Sequence, residues 1–240
     1  ILDILNFINV GNERIYVLIG EYGSGKTTVL KHIMSKLSKA KLENIDKSKF
    51  RIPIFISLKD YNKVPDFKGL INLFLADSFY GKDLTIRTFN EFNAEGYFVI
   101  ILDAYDEMLS KVTKADRRRC FIEISEIVKG NTKIILTGRP SYFNDFEEFN
   151  ECMGIVAQRT NNFIDKNSNQ IHKVSCLQLM DEDVAEELIS KLSKGNTKVV
   201  FDILLKNPDL LDLARSPVLA TMIADAAPEI SQLEGSDISA

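Results

Sequence analysis

The 240-residue chain is poor in the residues that define several classes of protein. It has no tryptophan, two histidines and three cysteines, Cys120, Cys152 and Cys176, which are odd in number and widely spaced. Such cysteines are typical of free thiols in a reducing compartment, and with the histidines they form no metal-ligand spacing. The composition therefore argues against a disulfide framework and a Cys/His metal site, and it predicts a cytoplasmic location.

Low net charge and short hydrophobic runs exclude further classes of partner. The formal net charge is −4, so no broad attraction to nucleic acid or anionic lipid is indicated. The basic run Arg117–Arg119 is interpreted as a solvated helix face. No apolar stretch reaches the roughly 18 residues of a membrane span, and no signal peptide is visible. The chain begins at Ile1 rather than Met, so we expect it to be a piece of a longer protein.

One glycine-rich stretch has the pattern G-x-x-x-x-G-K-T, which is the phosphate-binding P-loop. Its residues are Gly20, Glu21, Tyr22, Gly23, Ser24, Gly25, Lys26 and Thr27. An apolar run of strand length precedes it, and apolar residues at helical spacing follow from Thr28. In this context glycines let backbone N–H groups face phosphate oxygens, and the helix N-terminus attracts the anion.

Each residue type in this loop has a predicted task. Lys26 is expected to reach the β- and γ-phosphates of a nucleotide, and Thr27 to offer its hydroxyl to Mg²⁺. Thr28 completes the predicted set of nucleotide contacts on the helix side. The sequence therefore predicts a site for ATP or ADP with Mg²⁺.

A group of carboxylates follows the most apolar run of the chain. Residues 97–102 are apolar throughout, as in a strand buried on both faces of a parallel sheet, and Asp103 comes next. Ligands of such sheets bind at the carboxyl ends of strands, so Asp103 is predicted to be the second Mg²⁺ partner. Asp106 and Glu107 follow, and one of the two is expected to position the hydrolytic water.

A second polar ending follows the apolar run of residues 133–136. Thr137, Gly138, Arg139 and Pro140 come in succession there. Thr137 is predicted to hydrogen-bond the γ-phosphate or its water. Arg139 is predicted to neutralise charge on the γ-phosphate, as fixed cations do in phosphoryl transfer.

The order of predicted elements indicates an α/β fold, a P-loop NTPase with a parallel five-stranded sheet flanked by helices and followed by a small helical domain. Predicted strands cover residues 15–19, 51–58, 97–102, 133–137 and 171–177. Predicted helices cover residues 28–39, 70–80, 83–92, 117–129, 184–192, 198–205, 209–214 and 216–226. Residues 1–12 are predicted as a short helix or strand, 141–166 as a helix fragment and loop, and 229–240 as a fraying tail. We expect a nucleotide-binding domain over 1–178 and a partial helical appendage over 179–240.

Four blocks together resemble the NACHT family of signal-transduction P-loop ATPases. They are the P-loop itself, Leu102–Glu107, Leu136–Pro140 and Leu213–Leu219. The first block is shared by many P-loop proteins, whereas the acidic block and the T-x-R-P ending are more specific together. Ala104 stands where the family often has glycine, which we expect to be harmless.

The resemblance implies further roles and a wider function. Arg139 would be the sensor that reads the γ-phosphate, and Pro217 would pack against the adenine. The family's winged-helix domain does not follow within this chain, and self-association is expected through missing domains. The resemblance, with the Lys- and Asn-rich composition, implies a bacterial nucleotide switch with slow ATP hydrolysis in an anti-phage defence sensor. The sensed ligand stays unknown.

Three alternative functions fit the sequence less well than this switch. A stand-alone P-loop ATPase or small-substrate kinase would need a lid with arginines, and the only arginine cluster lies on a predicted helix. A transporter or repair ATPase would carry a serine-glycine-glycine signature, and Gly69 and Gly81 are isolated. A scaffold with an inactive site is disfavoured because the predicted site residues are intact, namely Lys26, Thr27, Asp103 and Glu107.

Overall fold

A computed structural model describes residues 1–43, 51–78, 85–109, 112–140, 172–193, 200–202, 204 and 208–236. The strands are β1 (Ile15–Ile19), β2 (Ile52–Ser57), β3 (Phe98–Asp103), β4 (Lys133–Gly138) and β5 (His172–Cys176). The helices are α1 (Leu2–Asn9), α2 (Lys26–Glu43), α3 (Phe67–Ser78), α4 (Ile86–Glu95), α5 (Tyr105–Leu109), α6 (Lys114–Ile127), α7 (Glu182–Leu192), α8 (Pro208–Ala214) and α9 (Pro217–Ser236). A 3₁₀ helix over Leu58–Lys63 follows β2.

The five strands form one parallel sheet in the order β2-β3-β4-β1-β5. In register, Ile134 of β4 lies opposite Ile15 of β1 and Ile100 of β3. Pro53 is tolerated near the start of β2 because that strand lies at the edge of the sheet. The predicted fold class, a parallel five-stranded sheet with flanking helices, is confirmed.

The central strands are buried on both faces, as their apolar runs predicted. Every residue of β3 and β4 is buried. On one face, alternate residues such as Ile100 and Ile134 pack in a core that includes residues of α3, α4 and α6. On the other face, the ring of Tyr16 lies 5.3 Å from that of Phe7 on α1. Burial on both faces leaves the strand ends as the place where polar side chains reach a ligand.

Several predicted boundaries were wrong, and a local pair of hydrogen bonds explains one of them. α6 begins at Lys114 rather than Arg117, because the Thr113 side chain caps the helix reciprocally with Asp116. The helix ends at Ile127 with Val128 as its cap, so Gly130, at φ +52°, lies in the following turn rather than at the cap. α9 continues to Ser236, well into the tail expected to fray.

The chain divides into two compact units. One consists of Ile1–Ile19 with Thr27–Cys176, and the other of Gly20–Lys26 with Leu177–Ala240. The second unit contains α7, α8 and α9 around a small core of Ile189, Val200, Leu204, Ala214 and Ala220. The predicted segment 141–166 lies outside the described residues. Within the part of the chain that is described, no helix combines the length and apolar character of a membrane span.

Candidate functional site

The P-loop backbone is bent at two glycines and closed by its own lysine. Gly23 and Gly25 have φ of +74° and +92°, a region that strains residues with a side chain. The Lys26 ammonium donates to the carbonyl of Gly20 at 2.6 Å and to that of Glu21 at 3.0 Å. α2 begins at Lys26, so the loop feeds directly into a helix N-terminus. These are the features that phosphate binding by backbone amides and an ammonium requires.

The remaining P-loop side chains differ in exposure. Tyr22 is 69% exposed, and Glu21 also faces solvent. Ser24 is buried and its backbone N–H donates to the Glu21 carbonyl at 3.2 Å, which tightens the loop. Thr28 is exposed on the first turn of α2. For these four residues, nucleotide contact stays a prediction.

Thr27 and Asp103, the two predicted Mg²⁺ ligands, are in direct contact. The Thr27 hydroxyl donates to Asp103 Oδ2 at 3.0 Å, and Thr137 donates to Asp103 Oδ1 at 2.5 Å. The Ala104 N–H in turn donates to Thr137 Oγ1 at 3.1 Å. Thr137 therefore orients the carboxylate, and its hydrogen bond to the γ-phosphate or its water stays a prediction.

These oxygen donors fit Mg²⁺ better than a transition metal. Among the described residues no group of three His, Cys, Asp or Glu side chains could hold a metal by itself. Mg²⁺ commonly takes one or two protein oxygens and completes its shell with phosphate oxygens and water. Thr27 and Asp103 match that donor set, and they would hold the ion at a nucleotide's phosphates.

Ala104, directly after Asp103, adopts a left-handed backbone conformation with φ +65°. Among the described residues it is the one non-glycine with a positive φ. This conformation turns the chain sharply between β3 and α5, and glycine adopts it without strain. The alanine expected to be harmless therefore occupies a strained position.

Asp106 and Glu107 are adjacent in sequence and have different surroundings. The Arg139 Nε lies 2.8 Å from Asp106 Oδ2, and the aspartate side chain is only 8% exposed. Glu107 faces solvent. Both acids lie on α5, whose orientation is set by the buried side chains of Tyr105 and Met108. The Tyr105 ring lies 5.3 Å from that of Phe121. The sequence could not separate the two acids, since only the orientation of α5 distinguishes them.

Pro217 and the residue before it lie against the P-loop glycines within the second unit. A Cβ placed on Gly25 would lie 3.8 Å from Pro217 Cγ, and one on Gly23 would lie 2.7 Å from Ser216 Oγ. Ser216 was not singled out from the sequence, because a serine before a proline predicts only the start of a helix. The predicted residues thus form two groups, Gly20–Lys26 with Pro217 in one unit, and Thr27, Asp103, Asp106, Glu107 and Arg139 in the other.

The sequence profile of the NACHT domain matches residues 14–167. The chain belongs to the NACHT domain family. The match begins just before β1 and includes the P-loop, the acidic block and Arg139. The resemblance inferred from four sequence blocks is therefore confirmed, and this NACHT domain is a P-loop NTPase module.

One relative of this NACHT chain is a WD repeat-containing protein, alr3466, of Nostoc sp. (strain PCC 7120 / SAG 25.82 / UTEX 2576). The two are 25% identical over 226 residues, which cover 92% of this chain and 14% of the relative. The chain thus spans about one-seventh of that protein's length. The relative is bacterial, in line with the origin expected from the composition.

Two solved structures share the fold. The ORC2 protein of Aeropyrum pernix, solved in its ADP form, has a TM-score of 0.56 and 12% identity over 98% of this chain and 62% of its own. The CDC6p protein of Pyrobaculum aerophilum has a TM-score of 0.50 and 15% identity over 97% of this chain and 61% of its own. At these identities the likeness concerns the P-loop NTPase fold alone.

Proposed function

We propose that this NACHT domain binds ATP or ADP with Mg²⁺ and hydrolyses ATP slowly, as a nucleotide switch within a larger signalling protein. The observation that carries the proposal is the contact of Thr27 with Asp103, 76 positions apart in the chain. It joins the last residue of the P-loop motif to the acidic residue that ends β3. A hydroxyl and a carboxylate paired in this way support a Mg²⁺–phosphate site.

The different surroundings of Asp106 and Glu107 support different roles for the two side chains. Asp106 is buried and paired with Arg139, so we assign it to orienting that arginine toward the γ-phosphate. Glu107 is exposed on the same helical turn, where its carboxylate is accessible to an attacking water. Bound Mg²⁺ would neutralise charge that develops on the phosphates. We therefore assign Glu107 as the general base and Arg139 as the γ-phosphate sensor.

A comparison of Glu107→Gln with wild type in Mg²⁺–ATP tests this assignment. Wild type is expected to accumulate bound ADP over minutes to hours, whereas the variant retains ATP with an unchanged dissociation constant, because the amide cannot take a proton. Single-turnover hydrolysis followed by chromatography of the bound nucleotide measures both. Wild-type hydrolysis rates in the variant would move the water-positioning role to Asp106. Rapid multiple turnover in wild type would contradict the slow switch.

We infer further that ADP and ATP control self-association through domains outside this chain, in a cytoplasmic bacterial anti-phage defence protein. Support comes from the NACHT membership and from a bacterial relative of which this chain covers only 14%. Light scattering of the complete protein with ADP or ATP tests the assembly. Phage plating on cells with wild type or the Lys26→Ala variant tests the defence role, and equal plaque counts would contradict it.

A further inference from the structure

Ser216 occupies the position before the first helical residue of α9 but does not cap that helix. A serine there ordinarily accepts a hydrogen bond from an N–H of the first turn. Here the Ser216 side chain is 5% exposed, and its hydroxyl has no hydrogen-bond partner among the described residues. A buried hydroxyl without a partner costs free energy, so such an atom calls for a ligand or a structural reason.

The Ser216 hydroxyl faces the phosphate-binding loop. It lies 2.7 Å from the place where a Cβ on Gly23 would be, and Val218 Cβ lies 3.1 Å from the same point. The close approach is possible because Gly23 has no side chain and adopts φ +74°. The start of α9 therefore packs against the loop at Gly23, and the serine hydroxyl lies beside that glycine.

Two features at this place attract an anion independently of each other. The first turn of a 20-residue helix presents N–H groups that lack partners within the helix, and the helix dipole is positive there. The buried Ser216 hydroxyl adds a hydrogen-bond donor that has no acceptor among the described residues. The loop it faces carries the Lys26 ammonium, which donates to the loop carbonyls of Gly20 and Glu21.

We propose that Ser216 is a nucleotide-binding residue whose hydroxyl donates to a phosphate oxygen held by the P-loop. The proposal rests on nucleotide binding by the loop and adds to it a contact from α9. Through this contact the helical unit senses directly whether a phosphate lies in the loop. Ser216 orients the phosphate and takes no part in moving protons.

The test uses the 240-residue chain with Ser216→Ala, and Thr221→Ala as the matched control. Thr221 lies on the same helix, but its hydroxyl is exposed and already donates to the Pro217 carbonyl at 2.9 Å. Calorimetry gives dissociation constants for Mg²⁺–ADP and for Mg²⁺–pyrophosphate, and differential scanning fluorimetry gives the melting temperature without nucleotide. Ser216→Cys, which keeps the size of the side chain with a weaker donor, serves as the second variant.

Ser216→Ala should weaken both ligands roughly 10-fold or more, since hydrogen bonds to charged groups are among the stronger ones. Its melting temperature without nucleotide should equal or exceed that of wild type, because an unsatisfied buried hydroxyl is removed. Ser216→Cys should shift both constants in the same direction, and Thr221→Ala should shift neither. A purely structural serine would instead lower the melting temperature and leave the constants unchanged.

Other outcomes separate this inference from the proposed function. Equal dissociation constants for wild type and Ser216→Ala would overturn the serine contact and leave nucleotide binding intact. Weaker ADP binding with unchanged pyrophosphate binding would overturn the phosphate contact in favour of one to the ribose or base. Failure of wild type to bind Mg²⁺–ADP would overturn the proposed function and this inference with it.

Discussion

Arg139 and Asp106 form an ion pair with 2.8 Å between Nε and Oδ2, and it joins the residue after β4 to the first turn of α5. The carboxylate is nearly buried and the guanidinium is about one-third exposed. A pair of this kind fixes the direction of the arginine more than it adds to stability. In the proposed function the pair serves that purpose, because it would hold Arg139 toward a phosphate that arrives from solvent.

Asp106→Asn should slow ATP hydrolysis roughly 10-fold or more, because a mispositioned cation stabilises less of the transition-state charge. Mg²⁺–ADP affinity should stay near wild type. If Asp106 acts through Arg139, the double variant Asp106→Asn/Arg139→Gln should be no slower than Arg139→Gln alone. Single-turnover rates of the four proteins form the cycle, and additive losses would show that the aspartate acts independently of the arginine.

Ala104→Gly should raise the free energy of unfolding by up to about 1 kcal/mol, because glycine adopts the left-handed conformation without a Cβ clash. Part of the gain is lost to the greater entropy of the unfolded chain. Ala94→Gly, in the last turn of α4, is the matched control and should destabilise by up to about 1 kcal/mol. Urea denaturation measures both, and equal destabilisation by the two glycines would show that φ +65° at Ala104 carries no strain.

Lys133 gives the chain a pH dependence on the alkaline side of neutrality. The side chain is buried, its ammonium donates to the Gly11 and Glu13 carbonyls at 2.5 and 2.6 Å, and it lies 4.7 Å from the centre of the Phe7 ring. Burial, assisted by repulsion from Arg14 and Arg51, lowers the pKa of Lys133 from 10.5 to about 8. Between these two values the unfolded chain binds more protons than the folded one.

The free energy of unfolding should therefore rise with pH from about 8 to 10.5, by on the order of 3 kcal/mol at most. The contribution of Lys133 is complete above pH 10.5 and is lost as the pH falls through 8. Urea denaturation at pH 7, 8.5 and 10 measures the slope, and Lys133→Met should flatten it. The same slope in the variant would assign the titration to another group.

The sequence predicted the buried strands because their apolar runs are continuous, as in residues 98–102 of β3. It also identified the residues at their ends, since parallel strands bring their carboxyl ends to one edge. The pairing of Thr137 with Asp103 could not be predicted, because it depends on β4 lying beside β3, and strand order is not encoded in hydrophobic periodicity. The start of α6 was misplaced because the Thr113–Asp116 cap was overlooked.

Contacts between distant segments could likewise not be predicted from the sequence. Ser216 and Gly23 are 193 positions apart, and nothing in a serine before a proline indicates that its hydroxyl is buried without a partner among the described residues. The division between Asp106 and Glu107 depends on how α5 is rotated, which the packing of Tyr105 and Met108 decides. In each case the residue type was visible in the sequence, whereas its role depended on tertiary packing.

In the proposed function, the loop from Gly20 to Thr27 holds a nucleotide's phosphates through its amides and Lys26. A calorimetric titration of Mg²⁺–ADP into wild type, Lys26→Ala and Lys31→Ala tests it most directly. Lys31 is the matched control, because it is exposed on the same helix outside the motif. Wild type and Lys31→Ala should bind Mg²⁺–ADP saturably, and Lys26→Ala should show no measurable binding, whereas equal affinity in all three proteins would rule out the phosphate role of Lys26.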